Sequence, residues 1–207
     1  IVEYLDRILN AEDEEISALA QKSFEKRGIK ILTSAKLLGL KETSQGVAAD
    51  IETGGAKQQL VAERVIMAVG IVGNSENIGL EATKVKLDRG HIVTDGFGAT
   101  NVDGIYAIGD VVKGQSLAHV ASAEGIICVE KLAGEHPEPL DYNNLPGCTY
   151  CQPEIASVGY TEQQAKDAGY ELKIGKFPFS ASGKASAAGV KAGFVKVIFD
   201  AKYGEWL

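Results

Sequence analysis

Three places in this chain carry residues whose types and spacing could do chemistry. The most specific is Thr100-Asn101-Val102-Asp103-Gly104-Ile105-Tyr106-Ala107-Ile108-Gly109-Asp110. An apolar strand ending in Gly-Asp sets a carboxylate at the strand's carboxyl edge, where open α/β sheets take their ligands. Gly109 lets backbone and ligand approach closely. A helix predicted to begin near Ser116 would aim backbone N–H groups and a positive dipole end at the same spot. A capping aspartate in a turn is the plain alternative, but it would not need so long a pattern.

Glu3 is the next candidate. An acid at the end of the second strand of a dinucleotide-binding βαβ unit accepts hydrogen bonds from an adenosine ribose diol. The glycine-rich phosphate loop of such a unit lies about 20 residues earlier, upstream of Ile1. Alone, Glu3 also reads as a solvated surface acid. The third place is Cys148-Thr149-Tyr150-Cys151, whose C-x-x-C spacing suits a redox pair or half a zinc site. No second ligand pair accompanies it. Cys128 falls in a predicted helix, and His91, His119 and His136 show no ligand spacing. A redox pair is wanted at a helix start, whereas this one lies in a strand-like stretch, so ordinary buried thiols are expected, and no metal site. No G-x-S-x-G, Walker loop or metal-binding helix supports a hydrolase or nucleotidase.

The elements that must position these residues can be read from periodicity. Ile1–Tyr4 reads as the tail of a strand, with Asn10 as a helix cap and acids from Glu12 to Glu15 in the first turn. Ile16, Leu19, Ala20 and Phe24 share a helical face, and Gly28 stops it. With Ile29–Leu32 as a short buried strand, this is a βαβ unit and implies a parallel sheet. A meander follows (Leu37–Leu40, Val47–Ile51, Gln59–Val61), turning at Thr53-Gly54-Gly55. Arg64–Val69 reads as an apolar strand ending at Gly70. Loop-rich sequence with a short strand at His91-Ile92-Val93 leads to a buried strand, Ile105–Ile108, and a helix over Ser116–Leu132. Beyond Pro137, Pro139 and Pro146 come strands Ile155–Val158, Leu172–Pro178 and Phe194–Phe199 around a helix, Thr161–Ala168. Three segments result: residues 1–72, 73–141 and 142–207.

Composition fits a globular α/β protein. Of 207 residues 45% are hydrophobic, and 28 acids against 21 bases give a net charge of −7. A strong nucleic-acid binder would show a basic face instead. No apolar run reaches the roughly 18 residues a membrane span needs, and no leader opens the chain. Three cysteines are too few for a disulfide scaffold, which favours a reducing, cytosol-like compartment. Met67 is the only methionine, and the closing Trp206-Leu207 starts a hairpin strand without finishing it. The chain is therefore expected to be a piece of a longer protein.

The Ala99–Asp110 stretch resembles the second flavin-binding motif of the disulfide reductases that carry two dinucleotide-binding domains. Leu117-Ala118-His119-Val120-Ala121-Ser122-Ala123-Glu124-Gly125 and Pro146-Gly147-Cys148-Thr149-Tyr150-Cys151-Gln152-Pro153-Glu154-Ile155-Ala156-Ser157-Val158-Gly159 narrow this to the dihydrolipoamide dehydrogenases. Val2-Glu3-Tyr4-Leu5-Asp6-Arg7-Ile8-Leu9 looks like the NAD-domain strand of the same group. The resemblance covers essentially the whole chain, as the middle of such an enzyme. It implies an α/β fold: the C-terminal part of a Rossmann-type NAD-binding domain (1–72), an FAD-associated central segment (73–141) and the start of an α+β interface, or dimerisation, domain (142–207).

Roles follow from the resemblance position by position. Glu3 would hold the NAD adenosine ribose, Leu37 would line the adenine pocket, and Gly70 would admit NAD closely at its strand end. Asp110 would bond the ribityl chain of FAD, and Ser116, Leu117, Ala118 and His119 would line the flavin. Where many relatives continue Ala-Val-Gly with Arg-Arg-Pro, this chain has Ile71-Val72-Gly73-Asn74, so arginine contacts there would be lost. The implied reaction oxidises dihydrolipoamide through an active-site disulfide and FAD, with hydride passed to NAD⁺. The family's C-x-x-x-x-C pair and its His-Glu base are not in these 207 residues, so no catalytic residue is expected here. The implied partners are a second copy, as a homodimer, and the lipoyl domains of 2-oxo acid dehydrogenase complexes, with neither nucleic acid nor membrane. The implied compartment is the bacterial cytoplasm or the mitochondrial matrix. Two rivals remain: an NADPH-preferring relative of the glutathione or mercuric reductase type, and a non-catalytic scaffold. Glu3 opposes the first, because a carboxylate repels a 2′-phosphate; Arg7 is close enough in sequence to favour it.

Overall fold

The computed structural model describes residues 1–207, in two compact units: Ile1–Ile66 with Pro146–Leu207, and Met67–Leu145. No helix is long and apolar enough to cross a membrane.

In the first unit, helix α1 (Glu14–Lys26) begins at Asp13, not at Asn10. Asp13 is extended and its carboxylate accepts the Glu15 N–H. Leu9, at φ 50°, turns the chain just before Asn10, and residues 10–12 continue as turn and bend before the helix begins. The helix ends as its sequence requires. Gly28, at φ 87°, donates to the Glu25 carbonyl, and Ile29 N–H reaches back to Phe24, the paired bonds of a Schellman motif. Ser17 and Ala20 form its buried face. Ala20 packs with Ile8 and Ile155, flanked by Leu9, Ile16, Phe24, Ile31 and Cys151.

The flanking strands expected at Ile1–Tyr4 and Ile29–Leu32 meet only in one parallel bridge, Val2 to Leu32. The meander is longer than its apolar runs suggest: β1 (Ala35–Thr43), β2 (Gly46–Thr53) and β3 (Ala56–Ala62) pair antiparallel in that order. Gly46 is required there, because a Cβ on it would stand 2.3 Å from the Ala62 carbonyl oxygen.

The second stretch of this unit has two antiparallel pairs: β6 (Gly147–Thr149) with β7 (Ile155–Ser157), and β8 (Leu172–Pro178) with β9 (Phe194–Asp200). Helix α3 (Glu162–Asp167) carries a full capping box, with the Thr161 hydroxyl on Gln164 N–H and the Gln164 side chain on Thr161 N–H. Sequence periodicity missed α4 (Gly183–Ala188), which has no apolar repeat and is set by its ends. Ser182 caps it and Gly189, at φ 71°, closes it. An ion cluster ties α1, α3 and β9 together. Lys196 Nζ lies 2.9 Å from Asp13, 2.8 Å from Glu15 and 2.7 Å from Glu162.

In the second unit, β4 (Leu87–Asp88) and β5 (His91–Ile92) form a small hairpin. Val85, Ile92 and Val112 make its core, with Leu80, Val102, Ile105, Ala107 and Val111 packed against them. Helix α2 spans Ala118–Leu132. Two expected strands are not strands. Ile105–Ile108 makes a single bridge, Tyr106 to Ala99. Arg64–Val69 pairs with nothing, and Ile66 and Val69 are 90% and 86% exposed. A strand exists by its ladder; Arg64–Val69 pairs with no segment and Ile105–Ile108 meets only the short stretch around Ala99, so the parallel sheet implied by the sequence reduces to isolated bridges.

Candidate functional site

The Gly-Asp turn is built from its backbone. Ile108 arrives extended, Gly109 turns at φ 72°, and Gly109–Val111 makes one tight turn closed by Val112 N–H on the Gly109 carbonyl at 2.9 Å. Asp110 stands exposed on that turn. Helix α2 lies close beneath through small side chains. A Cβ on Gly109 would be 3.2 Å from the Ala121 Cβ, one on Gly125 would be 3.1 Å from the Ile108 Cδ1, and one on Gly98 would be 3.4 Å from the Cys128 Sγ. Ala121, Gly125 and Cys128 lie on one helical face, so this face is what brings the turn to the helix.

Helix α2 starts without a side-chain cap. Its N-cap, Leu117, is extended and offers no acceptor to the first turn. The polar N-terminal end of a helix with no capping side chain favours an anionic or hydrogen-bond-accepting ligand. Ser116 and Leu117 are half-buried there, while Ala118 and His119 are exposed. Asp110 and residues 116–119 are thus brought together through the packing of Gly109 on α2.

Three further residues shape this turn and were not picked out from the sequence. Glu124 Oε2 accepts the Gly109 N–H at 2.7 Å, and its Oε1 accepts the Tyr142 hydroxyl at 2.5 Å. Burial and the bond to Glu124 push the Tyr142 phenol up to about 12. Gln115 Nε2 donates to the Tyr142 carbonyl at 3.2 Å. The signal available was helical phase: Glu124 adjoins the small face Ala121–Gly125.

The first unit holds Glu3 and Leu37. Glu3 is half-buried, its N–H donates to the Leu32 carbonyl and its own carbonyl accepts from Ala35 N–H. Its Oε1 accepts Leu5 N–H at 2.8 Å, which fixes the carboxylate while Oε2 stays available to a hydroxyl donor. Leu37 is half-buried in β1, opposite Ile51, with a bulge between it and Gly39. Arg7 is engaged locally, donating to the Asn10 carbonyl at 3.2 Å and lying 3.7 Å from Asp6. In the second unit Gly70 sits at φ 133° with no atom within 4 Å of where a Cβ would be, an open backbone that a ligand can approach.

The thiols are not all buried as expected. Cys128 is buried, Cys151 half-buried and Cys148 exposed. The strand alternation of β6 turns Cys148 outward, since its neighbours Gly147 and Thr149 face the other way. Burial, with the Glu12 carboxylate nearby, pushes the Cys151 thiol up, and its Sγ donates to the Pro153 carbonyl at 3.0 Å. That is the setting of a structural thiol, the opposite of an activated nucleophile. No group of three His, Cys, Asp or Glu side chains is arranged to hold a metal ion.

The residues present suit a flavin and a pyridine nucleotide. An exposed carboxylate, a glycine allowing close approach and an uncapped helix start fit a polyhydroxylated, phosphate-bearing group; a fixed carboxylate with one oxygen to offer fits a ribose diol.

Comparisons with known proteins bear on the same segments. Residues 145–207 match the dimerisation domain of the pyridine nucleotide-disulphide oxidoreductases. Over its full length the chain is 53% identical to the dihydrolipoyl dehydrogenase of Rhizobium etli and 51% identical to that of Zymomonas mobilis, covering 44% and 45% of those proteins. It thus spans less than half the length of these curated relatives. Among solved structures, all of this chain superposes on 44% of LpdA from Mycobacterium tuberculosis, with a TM-score of 0.86 at 26% identity. It also superposes on 47% of the HOCl-induced flavoprotein disulfide reductase RclA from Escherichia coli, with a TM-score of 0.88 at 25% identity. Residues 1–125, well over half of the chain and including the turn at Gly109-Asp110, match the pyridine nucleotide-disulphide oxidoreductase family itself, and the chain belongs to that family.

Proposed function

We propose that this chain is the middle of a dihydrolipoyl dehydrogenase, which oxidises dihydrolipoamide with FAD and NAD⁺ as cofactors. The observation that carries the reading is the exposed Asp110 on a glycine turn packed against the uncapped start of α2. The identity of this whole chain to 44% and 45% of two dihydrolipoyl dehydrogenases supports the choice of substrate.

FAD, when bound, supplies two-electron exchange between a thiol pair and a pyridine nucleotide. Asp110 accepts hydrogen bonds from ribityl hydroxyls, and Ser116 to His119 line the ring at the helix start, whose dipole favours negative charge. Glu3 takes the adenosine ribose of NAD with the oxygen that Leu5 leaves over, Leu37 lines the adenine, and Gly70 admits the nucleotide along open backbone. Residues 1–72 then belong to the NAD-binding domain, 73–141 to the FAD-binding one and 142–207 to the interface domain, through which two copies associate. The thiol pair and base that meet the substrate belong to parts of the protein outside these residues, and the substrate arrives on lipoyl domains of a 2-oxo acid dehydrogenase complex in the cytoplasm or the mitochondrial matrix.

The test is the full-length protein, assayed for NADH formation from dihydrolipoamide and NAD⁺ beside glutathione and mercuric substrates. Turnover confined to dihydrolipoamide supports the reading. Turnover of another disulfide or metal substrate at higher kcat/KM, or no bound flavin, overturns it.

A further inference from the structure

Helix α2 carries one carboxylate on the side that meets the Gly-Asp turn, and that carboxylate is fully engaged. Glu124 Oε2 accepts from Gly109 N–H, and Oε1 accepts from the Tyr142 hydroxyl. Both bonds are charge-assisted, the stronger kind. A glutamate left alone has several freely rotating bonds, and ordering it opposes any single contact. The Tyr142 hydroxyl supplies the second contact that fixes it.

Tyr142 is itself held against the same loop. Its carbonyl accepts from Gln115 Nε2, and its ring edge would lie 3.3 Å from a Cβ on Gly114. The loop from Gly109 to Ser116 is therefore gripped at both ends. Glu124 takes the end at Gly109, and Tyr142 takes the end at Gly114-Gln115. Between these grips lies Asp110, and directly after them comes the start of α2. Gly114 leaves room for the ring, and the small residues Ala121 and Gly125 let the turn pack closely on α2.

We propose that Glu124 and Tyr142 form a clamp that positions the Asp110 carboxylate and the start of α2 for the flavin cofactor, Glu124 acting as a positioning residue without touching the cofactor. This rests on the reading of Asp110 as the ribityl contact, and its consequence is specific: Glu124 should act through Asp110, and an amide should be able to replace it. A glutamine can accept from Gly109 N–H with its carbonyl and donate to the Tyr142 oxygen with its NH₂. An alanine can do neither.

The experiment uses the full-length protein, stripped of flavin and titrated with FAD by flavin fluorescence, with the thermal midpoint of each apoprotein measured alongside. Glu124→Ala is expected to weaken FAD binding by about tenfold or more, and Tyr142→Phe by about threefold to tenfold. Glu124→Gln should stay within about threefold of the parent. In an Asp110→Asn background, Glu124→Ala should add less than about threefold. Full additivity in that cycle, or parental affinity in both Glu124→Ala and Tyr142→Phe, overturns the clamp while leaving Asp110 as the contact. Parental affinity in Asp110→Asn alone instead removes the reading beneath it, and the clamp with it. If Glu124→Ala does not fold, Tyr142→Phe decides, since it removes one hydroxyl from a partly exposed ring: parental affinity overturns the clamp and weakened affinity supports it.

Discussion

Asp13 Oδ2 accepts the backbone N–H of Glu162 at 3.1 Å, across 149 residues of chain, while Oδ1 of the same carboxylate caps α1 through Glu15 N–H. One side chain therefore accepts first-turn N–H groups of two helices, and Lys196 Nζ, bonded to both of its oxygens, balances the charge. Burial alone would raise the Asp13 carboxyl, but its bonds to Lys196 and to the two N–H groups hold it below its ordinary value. Lys166 and Lys196 hold Glu162 down to about 2, and Lys176 with Lys196 lowers Glu15.

These depressed carboxyls stabilise the folded state fully above their unfolded values, near 4.5 for Glu162, and that contribution is lost as pH falls toward about 2. Urea unfolding of the full-length protein, followed by circular dichroism between pH 6 and about 2.5, should show stability dropping through this window. Lys196→Met should cost about 3 kcal/mol at neutral pH by stranding its partners, and should flatten the acid slope. Parallel acid profiles for parent and variant would count against the cluster.

Gly109 and Gly104 both lie at positive φ, 72° and 76°, but only Gly109 has a neighbour in the way of a side chain. Gly104→Ala should therefore pay backbone strain alone, about 1 kcal/mol. Gly109→Ala adds a clash with Ala121 and shifts Asp110, and should weaken FAD binding by about tenfold more than Gly104→Ala does. Fluorescence titration of the two variants with FAD checks this, and equal losses would contradict it.

The Glu3 carboxylate is fixed by Leu5 N–H, and Arg7 is engaged with Asp6 and the Asn10 carbonyl. A 2′-phosphate would meet a held negative charge without a poised guanidinium. The full-length enzyme should prefer NAD⁺ over NADP⁺ by about tenfold or more in kcat/KM. Glu3→Ala should narrow that ratio, and comparable efficiencies in the parent would refute the assignment.

Thiol reactivity should follow exposure and hydrogen bonding. Cys148 is open to solvent, Cys151 is half-buried, raised and bonded to the Pro153 carbonyl, and Cys128 is buried against the Gly98 turn. Timed alkylation with mass-spectrometric readout should label Cys148 first, Cys151 far more slowly and Cys128 only on unfolding. Replacing both Cys148 and Cys151 by serine should leave dihydrolipoamide turnover nearly intact. A loss beyond about a hundredfold in the chemical step would make the pair redox-active.

What the sequence revealed depended on how local each signal was. The helix over Ser116–Leu132, the capped helix at Thr161 and the strand Leu172–Pro178 carry their periodicity and ends within themselves, and the structure places them within two residues. Arg64–Val69 and Ile105–Ile108 have apolar strand composition, but a strand needs neighbours that their own residues do not specify. The same contrast runs through the site. The turn at Gly109-Asp110 is written in consecutive residues, whereas the bonds from Glu124 and Tyr142 join positions 15 and 18 residues apart and leave no spacing pattern to read. Asp13, not Asn10, caps α1, and the further partners of its carboxylate, at 162 and 196, lie so far along the chain that nothing near residue 13 announces them.

The first unit is discontinuous, Ile1–Ile66 closing with Pro146–Leu207, and its Asp13–Lys196 bond spans 183 residues. During synthesis the chain emerges from its amino end, so Ile1–Ile66 cannot complete its contacts with Pro146–Leu207 until Lys196 has left the ribosome. Met67–Leu145 is continuous and has its partners to hand much sooner. Between these two units the order of completion therefore differs from the order of their first residues in the chain. Until Lys196 arrives, the nascent chain carries the Asp13 carboxylate uncompensated, which keeps the waiting segment charged and hydrated in the interval when an apolar one would be most prone to aggregate.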